Sequence, residues 1–164
     1  MLKTVYTTND FVIDKYTPTV LKPFYVDMEP TTLLRRIRFL IDLKYGYSVY
    51  YLKKNDKLLA YCTITSGKNP RFWFAGDKDI IIGPYYTAPE ARGKGYATKL
   101  VDAVINHCET DWEKGYVSIK NSNTSSIKVT ERLGGKFLFY VHNTKTKKLI
   151  KDKNGEYGIY EIVR

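Results

Sequence analysis

The sequence predicts a mixed α+β fold, a β sheet accompanied by helices. Runs of β-branched and aromatic residues predict strands, and segments with apolar residues at helical spacing predict helices. After a first helix and hairpin, strands and helices alternate, which favours α+β. The chain has 164 residues, 43% of them hydrophobic, so it is long enough to bury a core. We expect a single domain over residues 1–164.

Each element is predicted from its local pattern and from the residues that end it. The first helix follows Pro30, takes Thr31 as its cap and ends before Gly46. Its apolar stripe at helical spacing comprises Leu33, Leu34, Ile37, Leu40 and Ile41. The turn 54–56 joins the first two strands into a hairpin. In chain order, the predicted elements are a helix over 31–44, strands over 47–53, 57–65 and 79–87, a helix over 95–109, a strand over 115–120, a helix over 123–133, and strands over 136–142 and 156–163.

Three later elements carry more specific signals. The strand over 79–87 is interrupted by Gly83-Pro84, and proline has no N–H for a central ladder, so we expect a bulge or break there. Such an interruption leaves backbone groups available to a ligand. The helix over 95–109 has the clearest apolar stripe, which comprises Tyr96, Ala97, Leu100, Val101, Val104, Ile105 and Cys108. The next helix has Asn123 as its predicted N-cap and Gly134-Gly135 as its terminator.

The net charge of +10 predicts attraction to anions, which include nucleic acid, an anionic membrane and phosphate-bearing small molecules. Five lysines lie between Thr144 and Asn154. This basic hairpin is interpreted either as a solvated tip that protects strand edges or as an anion-binding arm. Most of the 15 tyrosines are expected at the edge of the core, and a minority could line a pocket for a polar ring such as a sugar.

Several classes are disfavoured by what the sequence lacks. No apolar run approaches the roughly 20 residues of a membrane helix, and the N-terminus has no signal-peptide core. Cys62 and Cys108 are isolated, which excludes a CxxC site and is typical of core residues in a cytosolic protein. We therefore expect a cytoplasmic protein with no metal site and no membrane span.

The segment 85–98 carries the strongest chemical signal. A strand leads into a turn with Gly93 and Gly95, and this turn opens a helix. A helix start presents unpaired N–H groups and the positive end of the dipole, while glycines let the backbone approach a ligand closely. Arg92 and Lys94 add positive charge. The pattern indicates a pyrophosphate site, whereas the P-loop and dinucleotide motifs do not fit, and a plain helix start is the alternative.

These residues resemble the GNAT superfamily of N-acetyltransferases. The family signature, Gln/Arg-x-x-Gly-x-Gly/Ala after a strand, is matched at every fixed position by Arg92–Ala97. A second match runs from Asn123 to Leu133-Gly134, with Gly135 where phenylalanine is usual. The resemblance covers roughly residues 47–163. It implies a mostly antiparallel central sheet with flanking helices and a splayed strand pair.

The resemblance also implies acetyl-CoA as co-substrate and a ternary-complex transfer of its acetyl group to an amine. The glycine turn would hold the pyrophosphate through backbone amides, and the preceding strand would pair with the pantetheine arm. Asn123 would hydrogen-bond the coenzyme; a plain helix cap is the alternative, and one residue could serve both roles. The cofactor-binding residues implied in this way are Tyr85, Tyr86, Thr87, Arg92, Gly93, Lys94, Gly95, Tyr96, Ala97, Thr98 and Asn123.

The resemblance leaves the catalytic residues unknown. Family members often protonate the leaving thiolate with a tyrosine, and this chain has Thr130 at that position. Threonine is a poor acid at neutral pH, so the alternatives are another donor, such as Tyr86 or Tyr140, water, or a chain that is not catalytic. The candidate bases, none of which is preferred, are Asp79, Glu90, His107, His142 and Glu161.

The acceptor is expected to be a primary amine of a small molecule. Positive charge and tyrosines favour a nucleotide- or phosphate-linked amino sugar over a polyamine. A non-catalytic acyl-CoA-binding or protein-interaction domain on the same fold is the alternative, and Thr130 favours it. A nucleic-acid-binding protein ranks last because no motif for it is present. No nucleic-acid partner is expected, and a homodimer is left open.

Overall fold

The structure is a computed structural model that describes residues 1–28, 32–145 and 148–164. In these ranges the chain forms nine strands and three α helices. The strands are β1 (Leu2–Thr7), β2 (Val12–Tyr16), β3 (Tyr47–Lys54), β4 (Lys57–Ser66), β5 (Ile80–Thr87), β6 (Lys114–Lys120), β7 (Lys136–Asn143), β8 (Leu149–Lys151) and β9 (Tyr157–Val163). The helices are α1 (Leu33–Tyr45), α2 (Tyr96–His107) and α3 (Thr124–Arg132).

The predicted α+β class is confirmed, and every predicted helix and strand is present with boundaries shifted by one or two residues. The predicted hairpin turn is also present, with positive φ at Asn55 and Asp56. Sequence patterns missed β1, β2 and β8. The helix cap predicted at Thr31 and its preceding Pro30 lie outside the described residues.

The chain forms two compact units. Unit 1 comprises Met1–Thr65 and Pro84–Thr110, and unit 2 comprises Ser66–Gly83 and Asp111–Arg164. Strands β1 to β4 of unit 1 follow one another in antiparallel pairs. In unit 2, which holds β5 only as far as Gly83, the order is β5-β6-β9-β7-β8, where the β5–β6 pair is parallel and the other pairs are antiparallel. The single domain expected from the sequence stays a prediction.

The core of unit 1 is rich in tyrosine. Tyr47, Tyr51 and Tyr61 are buried together with Phe24 and Phe39. Two of these hydroxyls donate to main-chain carbonyls of the segment before α1: Tyr47 to Pro23 at 2.8 Å and Tyr51 to Val26 at 3.1 Å. The rings therefore fill the core, while their polar tips hold an irregular segment in place.

Most of the predicted apolar stripe of α1 does not face this core. Leu33, Ile37, Leu40 and Ile41 are exposed, whereas Phe39 is buried. The side chain of Leu34, the fifth residue of the stripe, lies outside what the structure describes. In α2, by contrast, Leu100, Val101 and Val104 of the predicted stripe are buried, and Tyr96, Ala97 and Ile105 are half-buried. Cys62 and Cys108 are buried, as predicted. Within the described parts of the chain, no helix is long and apolar enough to cross a membrane.

Candidate functional site

Strand β5 leads into the candidate site, and its pairing is interrupted where the sequence predicts. The parallel pairing with β6 comprises Ile80 with Gly115 and Ile81 with Tyr116. It ends before Gly83, which has a positive φ of 99°. The strand itself continues to Thr87, so its last residues extend beyond that ladder. The predicted break is therefore a loss of pairing rather than an end of the strand.

Two glycines shape the turn between β5 and α2. Gly93 and Gly95 have φ values of 75° and 76°, in the left-handed region that costs other residues about 1–2 kcal/mol. A Cβ atom built on either glycine meets no atom within 4 Å. The two positions therefore require glycine for backbone conformation and have open space beside them. Such space is what a close-approaching ligand needs.

The N-terminus of α2 is uncapped. Its N-cap is Gly95, which has no side chain, and the first turn holds no acidic residue. The first helical hydrogen bond runs from the Lys99 N–H to the Gly95 carbonyl at 3.0 Å. The N–H groups of Tyr96, Ala97 and Thr98 precede that bond and point out of the helix start. Together with the helix dipole they favour an anion at this end.

The charged side chains of the turn bind its own backbone. Arg92 donates from Nε to the Thr87 carbonyl at 3.1 Å, and its guanidinium carbon lies 5.5 Å from the centre of the Tyr86 ring. Lys94 donates from Nζ to the Glu90 carbonyl at 3.1 Å. Both side chains are exposed. They brace the turn and bring positive charge to the helix entrance.

Glu90 is the acid nearest this turn in the sequence, and it is paired. Its carboxylate lies 3.0 Å from Nζ of Lys57 on β4. The pKa of Glu90 is lowered, first by a hydrogen bond to its own backbone and then by Lys57. A carboxylate held ionised in this way is a poor candidate for a base. Lys57 was missed because it is distant in sequence and no local pattern links it to Glu90.

Asn123 belongs to unit 2 and caps α3. Its Oδ1 accepts a hydrogen bond from the Ser126 N–H at 3.1 Å, as the N-cap prediction requires. Asn123 is exposed, so its amide is accessible to solvent. Gly134 follows the helix with a φ of 81°, which confirms the predicted terminator.

Thr130 and its predicted substitutes lie in different surroundings. Thr130 is 2% exposed, and its backbone carbonyl accepts the Gly135 N–H at 2.9 Å. Tyr86, in unit 1, is half-buried and stacks with Tyr61 at 6.0 Å between ring centres. Tyr140, in unit 2, is exposed and lies near another aromatic ring of β7. A threonine that is shielded from solvent in this way is poorly suited to protonate a leaving thiolate.

The other candidate bases have structural partners or exposed positions. Glu161 lies 2.9 Å from Lys114 and accepts from the Tyr116 hydroxyl at 3.2 Å. Asp79 accepts the Gly76 N–H at 2.6 Å. The ring of His107 stacks on Tyr6 at 4.5 Å, and His142 is exposed. In the part of the chain that the structure describes, no group of three His, Cys, Asp or Glu residues could hold a metal.

The sequence of residues 13–135 matches the model of the acetyltransferase (GNAT) family. The chain belongs to this family. The matched region includes the whole glycine turn and Asn123. Membership confirms the resemblance seen in the sequence and the enzyme class, an acetyl-CoA-dependent N-acetyltransferase of GNAT type.

Solved structures share the GNAT fold. The ribosomal-protein-S18-alanine N-acetyltransferase of Escherichia coli is 13% identical to this chain, with a TM-score of 0.62. The match covers 92% of this chain and 93% of that one. The IAA acetyltransferase of Bacillus cereus is 14% identical with a TM-score of 0.67, covering 94% and 99%. A Salmonella typhimurium protein named as an acetyltransferase, solved with its cofactor acetyl-CoA, is 15% identical with a TM-score of 0.60, covering 94% of each chain. No curated protein sequence matches the chain.

Proposed function

We propose that this GNAT enzyme transfers the acetyl group of acetyl-CoA to the primary amine of a small molecule. The turn before α2 is proposed to bind the diphosphate of the coenzyme. The supporting observation is the uncapped helix start beside Gly93 and Gly95, where open space meets outward N–H groups. A solved GNAT structure with acetyl-CoA bound agrees with this donor. The proposed contacts are Tyr85, Tyr86, Thr87, Arg92, Gly93, Lys94, Gly95, Tyr96, Ala97, Thr98 and Asn123.

In this proposal the residues of the turn bind and orient the coenzyme. The N–H groups of Tyr96, Ala97 and Thr98 donate to phosphate oxygens, and Arg92 and Lys94 raise the local positive potential. The end of β5, beyond its ladder with β6, offers main-chain groups to an extended arm. Asn123 is proposed as a further hydrogen-bonding contact and retains its cap to Ser126.

The reaction needs an unprotonated amine and a proton for the departing thiolate. Acetyl-CoA supplies an activated carbonyl, and a backbone N–H near the break in β5 would stabilise the oxyanion. An amine of pKa near 10 is mostly protonated at neutral pH, so a base or a water chain must accept its proton. The residues with these two proton roles stay unassigned.

The charge of the protein favours an anionic acceptor. Every described lysine of the hairpin from Thr144 to Asn154 is exposed, while Lys147 lies outside the described residues. We therefore propose a nucleotide- or phosphate-linked amino sugar as the acceptor class. The cytoplasmic location and the homodimer considered from the sequence stay predictions.

The test of the proposed function is the replacement Gly95→Trp. Its indole would fill the space at the helix entrance, so we expect acetyl-CoA to stabilise the natural protein against heat and to leave the variant unaffected. Gly46→Trp is the matched control, because Gly46 also has a positive φ, 88°, and open space beside it. That control should keep the response to acetyl-CoA.

Two results would contradict the proposal. Equal stabilisation of the Gly95 variant would place the coenzyme elsewhere. Tight acetyl-CoA binding without CoA release, over a panel of amines that includes UDP- and TDP-linked amino sugars, would favour a non-catalytic binding domain.

A further inference from the structure

Unit 2 presents an exposed tryptophan on a well-packed loop. Trp73 lies in the loop between β4 and β5 and is 51% exposed. Its neighbours Phe72 and Phe74 pack against the core of the unit. Trp112, the second tryptophan of the protein, is 2% exposed. Trp73 is therefore an exposed indole flanked in the sequence by two half-buried aromatic residues.

Three contacts hold the indole of Trp73 in one orientation. Its Nε1–H donates to the Leu149 carbonyl of β8 at 2.8 Å. One side of the ring stacks on Phe139 of β7, with centres 5.6 Å apart and planes 20° apart. Phe74 makes an edge contact at 5.5 Å and 81°. The indole is therefore fixed before any ligand arrives, and binding would cost little side-chain entropy.

This fixed ring offers a flat surface and no hydrogen-bond donor. Because its only N–H is bonded to Leu149, the exposed part of Trp73 can contribute stacking alone. One cation lies next to this ring pair: Nζ of Lys151 lies 5.1 Å from the centre of the Phe139 ring, on which Trp73 stacks. Lys148 and Lys153 are exposed on the same hairpin. A nucleotide joins an aromatic base to phosphates and matches both properties, because bases stack on aromatic faces and phosphates bind cations.

We propose that Trp73 is a stacking platform for the base of a nucleotide-linked acceptor, with Lys151 beside it to contact the phosphates. The inference rests on the proposed function and narrows its acceptor to nucleotide-linked amines. An acceptor peptide would not need a flat, donor-free indole beside a cation. A sugar phosphate without a base has no aromatic face to stack on the indole.

The experiment measures binding of UDP to the full-length protein by calorimetry, with uridine and inorganic pyrophosphate as separate probes. We expect UDP to bind more tightly than either probe alone. Trp73→Leu should weaken UDP binding about tenfold or more, as the loss of one stacked base predicts. Phe137→Leu is the matched control, because Phe137 is an exposed aromatic residue of β7 that does not belong to the platform. It should leave UDP binding unchanged.

A second measurement needs no variant. Because Trp112 is buried, quenching of tryptophan fluorescence by UDP would report on Trp73, and we expect it to saturate at the calorimetric affinity. Absence of UDP binding, equal affinity in Trp73→Leu, or binding without quenching would overturn the platform. If the natural protein still responds to acetyl-CoA in that case, only the platform fails. Absence of an acetyl-CoA response would instead contradict the proposed function.

Discussion

Tyr51 shows how a single buried hydroxyl organises unit 1. Its oxygen accepts from the Tyr25 N–H at 3.1 Å and donates to the Val26 carbonyl at 3.1 Å. Burial raises the pKa of Tyr51 to about 12. The folded state therefore favours the neutral phenol, whereas in the unfolded chain the phenol ionises near its ordinary pKa of about 10. The stabilisation that the neutral Tyr51 phenol contributes is thus fully present below pH 10 and is lost as the pH rises through 12.

We expect Tyr51→Phe to lower the free energy of unfolding by about 1–3 kcal/mol, because buried main-chain groups lose their partner. The variant should also lose less stability than the natural protein between neutral and strongly alkaline pH. Urea denaturation at the two pH values measures both effects. Tyr45→Phe is the control, since Tyr45 lies at the half-buried end of α1. An unchanged stability at neutral pH would show that these hydrogen bonds contribute little.

The spacing of apolar residues predicts the presence of a helix more securely than it predicts which face of that helix is buried. In α2, Leu100, Val101 and Val104 of the predicted stripe are buried. In α1 the spacing correctly predicts a helix, yet Ile37 and Leu40 of its stripe are exposed. Helical spacing reports backbone geometry, whereas the buried face depends on which elements pack against the helix. The helix caps are more predictable because their hydrogen bonds are local.

The two roles considered for Asn123, capping α3 and binding the coenzyme, can be tested separately. Asn123→Ala should destabilise the protein by about 1 kcal/mol because the Ser126 N–H loses its acceptor. Asn123→Ser keeps a capping oxygen and should retain most of that stability. If Asn123 also bonds the coenzyme, both variants should weaken acetyl-CoA binding. Unfolding curves and calorimetry distinguish these effects, and full affinity in both variants would leave Asn123 as a cap alone.

At the scale of the whole molecule, charge is the dominant property. A net charge of +10 creates a positive potential that attracts anionic ligands before any specific contact forms. Most of the ion pairs in the described residues are exposed at the surface, so salt reaches them easily. Surface charge therefore contributes more to ligand attraction than to stability.

We expect the dissociation constant of acetyl-CoA to rise by roughly tenfold from low to high salt, because the Debye length falls from about 30 Å at 0.01 M to about 3 Å at 1 M. The dissociation constant is measured over a series of salt concentrations. The thermal midpoint of the unliganded protein, measured at the same concentrations, is the control that separates weaker binding from lower stability. An affinity that does not change with salt would contradict a phosphate-binding role for the turn.

Local chemistry in the sequence was enough to predict the hairpin, the break after Ile82, the caps of α3 and the glycine turn of the candidate site. Each of these depends on residues that are close neighbours along the chain, whose backbone preferences act before folding is complete. The partner of Glu90, the exposed side of α1, and the contacts that hold Trp73 depend on segments brought together from distant parts of the chain. No periodicity or propensity encodes such pairings, because they arise only when the sheet and loops pack around their cores.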